Sequence, residues 1–541
     1  MQDALPITER SNDLTTSLDM QDPLGIVRLL RGCDGQLFSG YQSFPGLTDK
    51  SIFSSMQFVS KKTAEIIRSD NGVVVMSGSG TSGRIAFLVA RDMNRVLVNA
   101  GKRPCFKYLC SGGDAALLLS DELPEDDTIT AVKDLLLVTS EQSEKDEVLV
   151  IGITCGMSAP YVAGQLDYAL DMCENTWNNA IVKAPDSPPK YTCALVGFNP
   201  VVFSRPNPIE MWSSRPENLS KTMFDVVQRL QKASFSKKRN LRDEPVQTHA
   251  ILNPVVGPEA VCASSRMKGG SATLIILTAC FGPAVAAATQ QTRKLSIANV
   301  LDGMEKAYQR TYLVAKEISK ILEMCGESIK NGGHVYWLGE GSAGILGFVD
   351  ASEMPDTYGA AFTEFRGFCD KGWSGIQTVE GDLSDRGSLY RISLEQFEDD
   401  IFPNLTACDT VIGLYAHALD CHCPNRAIEE LLLKIATEKQ SVSTARVVCG
   451  PTHQENAHAV NMNCFVELPS TEAAFLNDYA AYSQFSLKLV LNAISTGAQI
   501  MKGMVCQNHM INTGPTNNKI YHRCIRLIME FANVGEEVAT Q

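Results

Sequence analysis

Two stretches of this 541-residue chain carry the same order of residues. In VVVMSGSGTSGRIAFLVARDM (73–93) an apolar run leads through small residues into a helix-like pattern, and VYWLGEGSAGILGFVDASEM (335–354) repeats it. Gly78, Gly80, Gly83, Phe87, Ala90 and Met93 fall on Gly339, Gly341, Gly344, Phe348, Ala351 and Met354, each 261 positions later. Self-similarity at a fixed offset reads as a duplicated domain. The repeated unit, an apolar strand, a tight turn and a helix, is the elementary piece of an α/β fold with a parallel sheet.

More apolar runs extend that rhythm: CFKYLCSGG (105–113), EVLVIGIT (147–154), YTCALVGF (191–198) and DTVIGLYAH (409–417). The expected class is α/β, two tandem doubly wound parallel-sheet domains with a C-terminal helical segment. The expected boundaries are an N-terminal arm at 1–48, a first domain at 49–298, a degenerate second copy at 299–470 and helices at 471–541. Residues 299–325 read as one long connecting helix, 239–250 as a surface loop, and 471–510 as a helical tail packed on the rest.

Composition narrows the functional classes. A net charge of −13 argues against nucleic acid as a partner, because phosphate neutralisation needs an excess of Lys and Arg. The charged N-terminus lacks an apolar core, so no secretory signal is expected. The apolar stretch 272–289 is interrupted by Gly282-Pro283 and reads as a buried helix rather than a membrane span. Seventeen cysteines without paired CxxC spacing fit free thiols in a reducing compartment. Cys421-His422-Cys423 is metal-like in composition but lacks a second ligand pair, so it reads as a strand or turn and no metal or other cofactor is expected.

GSGTSG satisfies the dinucleotide pattern GxGxxG, yet Asp114 lies about ten residues beyond the place where a ribose-binding acid belongs. The loop also lacks the GK[ST] ending of a nucleotide P-loop. What it offers is Ser79, Thr81 and Ser82 where a helix begins. Free N–H groups, the helix dipole and hydroxyl donors there suit a phosphate monoester. A capped turn that holds no ligand has the same local signature. Two further turns strengthen the ligand reading: GPEAVCASSRMKGGSAT (257–273), with Ser264, Ser265, Arg266 and Lys268, and GITCGMSAP (152–160), with Thr154, Gly156 and Ser158. Three hydroxyl-rich strand-to-helix turns suit a sugar phosphate, whose hydroxyls and phosphate all need partners.

SGSGTSGRIAF, SGGD, LPEDD, GMSAPYVAGQLD, GPEAVCASSRMKGGSAT and LNAISTGAQIMKGMVCQNHM, together with ITERSNDLTTSLDMQDPLGIVRLL, resemble the glucokinase regulatory protein family. They are also similar to the bacterial N-acetylmuramic acid 6-phosphate etherases, within the sugar isomerase domain superfamily. The resemblance implies phosphosugar-binding roles for Gly80, Thr81, Ser82, Glu125, Thr154, Gly156, Ser158, Ser264, Ser265 and Arg266, with Lys488 reaching in from the C-terminal helices. It also implies fructose 6-phosphate and fructose 1-phosphate as ligands, and glucokinase as a partner that the chain inhibits. The expected form is a monomer with an internal pseudo-dimer, without membrane association, in the cytoplasm and also the nucleus.

The alternative is an etherase-like lyase, whose lactate elimination uses one carboxylate as base and another as acid. The matched positions hold Asp92, shorter by a methylene than the etherase Glu, and Glu125. The etherase-like string DASE survives in the second copy, with Glu353 equivalent to Asp92. That copy's turn, GEGSAG, has one serine and Glu340, whose charge repels phosphate, so the second copy reads as a pseudo-domain completing a dimer-like interface. Two family features are replaced here: ELPSTEAAF (467–475) stands where the regulators carry an apolar kinase-gripping string, and the chain stops at Gln541 where they continue into a longer helical cap.

Overall fold

The computed structural model describes residues 5–540 except 120–122, 178–181, 210–220, 240–244, 290–294, 417–425, 451–459, 469–479 and 515–517. The first sheet contains β1 (Val73–Gly78), β2 (Phe106–Cys110), β3 (Glu147–Ile153), β4 (Lys190–Val196) and β5 (Ala250–Leu252), all parallel, in the order β2-β1-β3-β4-β5. The second contains β6 (Val335–Gly339), β7 (Phe365–Cys369), β8 (Thr410–Ala416), β9 (Ser443–Gly450) and β10 (Met462–Glu467), in the order β7-β6-β8-β9-β10. The two orders are the same, which is the duplication seen as topology. β1 and β6 are buried along their whole length, as expected for strands covered by helices on both faces.

The repeated glycines have a steric cause. Gly80 and Gly341 both sit at φ 52°, in the left-handed region where a side chain is strained. Gly83 packs its helix start against β2, where an added Cβ would stand 2.6 Å from both Cys110 Sγ and the Gly78 carbonyl. Gly344 faces Cys369 and the Gly339 carbonyl in the same manner.

Three expectations are corrected. The connection between copies is two helices, Ile297–Thr311 and Ala315–Lys330, separated by a 3₁₀ turn at Tyr312–Val314. At that break the Tyr312 hydroxyl donates to buried Asp34 Oδ2 (2.5 Å). The stretch 239–250 is not a plain loop, since Phe235–Arg239 and Pro245–Gln247 pair as an antiparallel ribbon and Ala250 already belongs to β5. The block 471–510 is not a tail. Its described part is one helix, Ala481–Met501, followed by a hairpin that pairs Val505 with Met510 and Cys506 with His509.

The Ala481–Met501 helix is buried from Ala481 through Ile500. It packs on both connecting helices, on the Gly341–Ser352 and Lys268–Ala288 helices, and on the N-terminal helix Pro23–Ser39. Its polar residues, Gln484, Lys488, Asn492, Ser495 and Gln499 among them, are buried along with the apolar ones, so the helix lies in the interior rather than on a surface. Lys268–Ala288 is buried too and runs through Pro283, in keeping with the reading of a core helix. All fifteen described cysteines are free thiols. The Cys421-His422-Cys423 cluster and residues 469–475 of the ELPSTEAAF string lie outside the described residues.

Candidate phosphosugar site

The carboxyl ends of β1 and β3 open onto a cavity that encloses about 880 Å³ with its mouth. The three expected turns meet there. Gly80, Thr81 and Ser82, Thr154, Gly156 and Ser158, and Ser264, Ser265 and Arg266 all line it, as does Glu125. Ser79 joins them. The helix Thr81–Asn99 starts here with no side-chain cap, so its first-turn N–H groups are directed to the cavity end. Ser79 Oγ, Ser264 Oγ and Arg84 Nη2 are buried with no hydrogen-bond partner among the described residues. An orphaned buried donor costs about 1–3 kcal/mol, and three around one cavity mark a place for a polar ligand.

The turns differ in how far their side chains are committed. Thr154 Oγ1 accepts from the Ser158 and Ala159 amides (3.1 and 3.2 Å), so this hydroxyl shapes its own turn. The Arg266 guanidinium is 3% exposed and is occupied away from the cavity, by Asp350 Oδ1 (3.1 Å), Ser495 Oγ (3.3 Å) and Thr496 Oγ1. Lys488 lies behind the cavity rather than in it, where Nζ donates to the Arg266 carbonyl (2.8 Å) and to Asn492 Oδ1 (3.2 Å). It borders a small void together with Thr81 and Arg266, both of which also line the cavity. Lys268, a candidate anion partner in the sequence, is also elsewhere: Nζ donates to Gln36 Oε1 (2.5 Å) and the Val256 carbonyl (2.8 Å).

The largest correction concerns Asp92, which is fully buried outside the cavity. Ser342 Oγ donates to both of its oxygens (2.9 and 2.8 Å), Gln484 Nε2 to Oδ2 (2.9 Å) and Arg91 Nη1 to Oδ1 (2.9 Å). The cause is pseudo-symmetry. Each copy projects the acid of its turn-helix unit into the other copy's turn, so Asp92 serves the second turn and Glu353 the first. Thr81 Oγ1 donates to Glu353 Oε2 (2.6 Å), and Arg84 Nη1 to Oε1 (2.7 Å). Asp356 and Thr357 of the second copy line the cavity as well. The second turn is filled by the first copy: Arg91 also donates to Ser342 Oγ (3.3 Å) and to the Gly375 carbonyl (3.1 Å).

Sequence reasoning missed Arg84, Asp356, Thr357, Thr8, Glu9 and Arg523 in the lining. Arg84 stands inside the quoted turn and Thr8-Glu9 inside the N-terminal motif, so their positions were marked. Their direction depends on packing between distant segments.

Two parallel sheets in the same strand order, with a hydroxyl-rich polar cavity at the carboxyl ends of the first, define a tandem sugar isomerase (SIS) domain protein of the phosphosugar-binding class. The glucokinase regulatory protein N-terminal SIS domain matches residues 58–170, and the second SIS domain of that protein matches 312–502. The glucokinase regulatory protein of Xenopus laevis is 32% identical over 555 residues, covering 100% of this chain and 83% of its own length. That of Homo sapiens is 33% identical over 545 residues, covering 98% and 80%. The chain belongs to the glucokinase regulatory protein family. An N-acetylmuramic acid 6-phosphate etherase from Bacillus mycoides is 30% identical over 259 residues, covering 47% of this chain and 82% of its own.

The Arg84–Glu353 pair joins the copies with side chains 1% and 10% exposed. Removing one partner of such a pair strands the other charge, at about 3–5 kcal/mol. Arg84→Ala and Glu353→Ala are each expected to lose that much in denaturant unfolding, while Arg84→Met with Glu353→Leu recovers most of it.

Burial lowers the Lys488 ammonium from 10.5 to about 8; Arg266 adds to the effect, and Glu353, Asp350 and Asp34 oppose it. The unfolded chain therefore holds the extra proton between about 8 and 10.5, so this residue makes stability rise with pH across that window and imposes its full penalty below it. Lys488→Met removes that rise. The variant-minus-wild-type stability difference should fall between about pH 7.5 and about pH 9.5. A pH-independent difference contradicts the assignment.

Proposed function

We propose that the chain senses fructose 6-phosphate and fructose 1-phosphate at the first-copy cavity and inhibits glucokinase by binding it, in the cytoplasm and nucleus. The observation that carries the sugar-phosphate reading is the ring of orphaned Ser79, Ser264 and Arg84 donors around an uncapped helix start. In this reading Ser79, Ser82 and the first-turn amides take the phosphate, Ser264 and Ser265 join them, and Glu125 and Glu353 take sugar hydroxyls. Family membership is what supports the kinase partner. Fructose 6-phosphate then strengthens the inhibitory complex and fructose 1-phosphate weakens it. That opposition requires the two esters to favour different conformations, since a ligand with equal affinity for both shifts neither.

Calorimetric titration of both esters into wild type and Ser82→Tyr tests the site. Binding to wild type that is lost in the variant is expected, because Ser82 is 6% exposed on the cavity wall and a phenol ring there fills the turn. Heat-silent titrations of wild type confirmed by unchanged thermal unfolding would refute the ligand assignment.

One observation favours a second reading. Glu353 enters the first cavity and lines it with Glu125, so a carboxylate pair is present among its acids even though Asp92 is absent. An etherase needs such a pair, one to abstract the proton beside the open-chain carbonyl and one to protonate the departing lactate oxygen. Lactate release from N-acetylmuramic acid 6-phosphate, abolished by Glu353→Gln, is the outcome expected of this reading; no release by wild type dismisses it.

A further inference from the structure

The mouth of the cavity is crossed by two segments from opposite ends of the chain. Thr8 and Glu9 come from the N-terminal arm, and Ile520 and Arg523 from the helix Asn518–Ala532; all four line the cavity. Glu9 joins them, because its carboxylate accepts from Arg523 Nε and Nη2 (3.2 and 2.8 Å) and from Arg526 Nη2 (2.8 Å). These side chains are sheltered but not sealed, at 17%, 11% and 36% exposure for Glu9, Arg523 and Arg526.

The arm is tied to the ligand-facing turns on its other side. The Thr8 amide donates to Asn199 Oδ1 (3.1 Å), and Asn199 Nδ2 donates to Thr8 Oγ1 (2.9 Å) and to the Gly156 carbonyl (3.1 Å). Cys262 Sγ donates to the Glu9 carbonyl (3.4 Å), which places the arm against the turn that carries Ser264.

Arg84 and Arg266 are each fastened to an acid of the second copy, Glu353 and Asp350, deep in the protein. Arg523 has a different arrangement: it shares Glu9 with Arg526, so Glu9 keeps a guanidinium if Arg523 turns toward the cavity. We propose that Arg523 is the exchangeable cation of this site, pairing with Glu9 across the mouth in the free protein and with the anionic group of a bound phosphosugar when the cavity fills. The proposal rests on the phosphosugar reading and adds its regulation. Occupancy breaks the Glu9–Arg523 contact and loosens the strap formed by the arm and the last long helix.

Linkage fixes the signs. If ligand weakens the Glu9–Arg523 contact, then weakening that contact strengthens ligand binding by the same factor. Glu9→Gln is therefore expected to bind fructose 6-phosphate several-fold tighter, and Arg523→Gln at least about tenfold weaker through loss of a charge-assisted bond. Arg523→Lys, which keeps the charge, should restore part of the loss. A merely structural clamp predicts the same direction for Glu9→Gln and Arg523→Gln, because both would break the same strut.

The test is calorimetry on the full chain and these three variants, with amide hydrogen exchange over residues 5–12 of wild type and Arg523→Gln with and without the ester. Opposite shifts in affinity, and exchange that rises on binding in wild type but not in Arg523→Gln, support the exchange. Shifts in one direction, or ligand-independent exchange in a wild type that binds, overturn it. Wild type that binds neither fructose ester overturns instead the reading on which it rests. Arg526→Gln guards against a folding artefact: it removes the guanidinium that competes with Arg523 for Glu9, and is expected to tighten the Glu9–Arg523 pair and weaken ligand binding. Tighter binding in Arg526→Gln counts against the proposal.

Discussion

The reciprocal exchange of acids between the two copies is the contact on which the rest of the molecule depends. Glu353 leaves its own copy to meet Thr81 and Arg84, while Asp92 leaves its own to meet Ser342 and Arg91. A two-fold interface repeats each contact in both directions, and fusing the copies in one chain preserves that pattern while freeing its halves to diverge. Neither turn is complete alone. The first copy's cavity has a wall made by the second, so two copies are needed to form it.

The divergence is chemical. In the first turn the incoming acid is held at the edge by Thr81 and Arg84, leaving Ser79, Ser82 and the helix start facing open space. In the second, Asp92 bonds directly to the sole serine and Arg91 lies across the turn, close to Gly341. An arginine there supplies internally the kind of hydrogen bonding that a ligand supplies elsewhere. The same backbone thus makes a site in one copy and a structural joint in the other.

Much of this was legible in the sequence because the constraints are local. Glycine at positive φ, glycine beneath a neighbouring strand and hydroxyls at a helix start all leave residue-level marks, and the ten residues assigned from the three turns and Glu125 converge on one cavity. What was not legible depends on partners far along the chain. Asp92 and Glu353 read as equivalent in sequence, and only the pseudo-two-fold arrangement decides that each serves the other copy. The Ala481–Met501 helix reads as a packed tail from its place near the end of the chain, whereas the burial of its polar stripe depends on partners in both copies, Asp92 and Arg266 in the first and Asp350 and Glu364 in the second. At the break the Tyr312 hydroxyl meets Asp34, almost three hundred residues earlier, a contact that no periodicity reveals.

That helix is what joins the site to the rest of the fold. Lys488 donates to the Arg266 carbonyl, Ser495 and Thr496 accept from the Arg266 guanidinium, and Ser495 donates to Asp350 of the second copy. One helix thereby holds a cavity-lining turn of the first copy and the acid-bearing helix of the second in register. All these groups are buried, and burial raises Asp350 to about 6 even with Arg266 and Ser495 pulling it down. A polar network under such strain is stable only while every partner stays in place. A ligand that draws the Ser264–Arg266 turn toward itself therefore pulls on a helix that packs against both domains and the N-terminal arm.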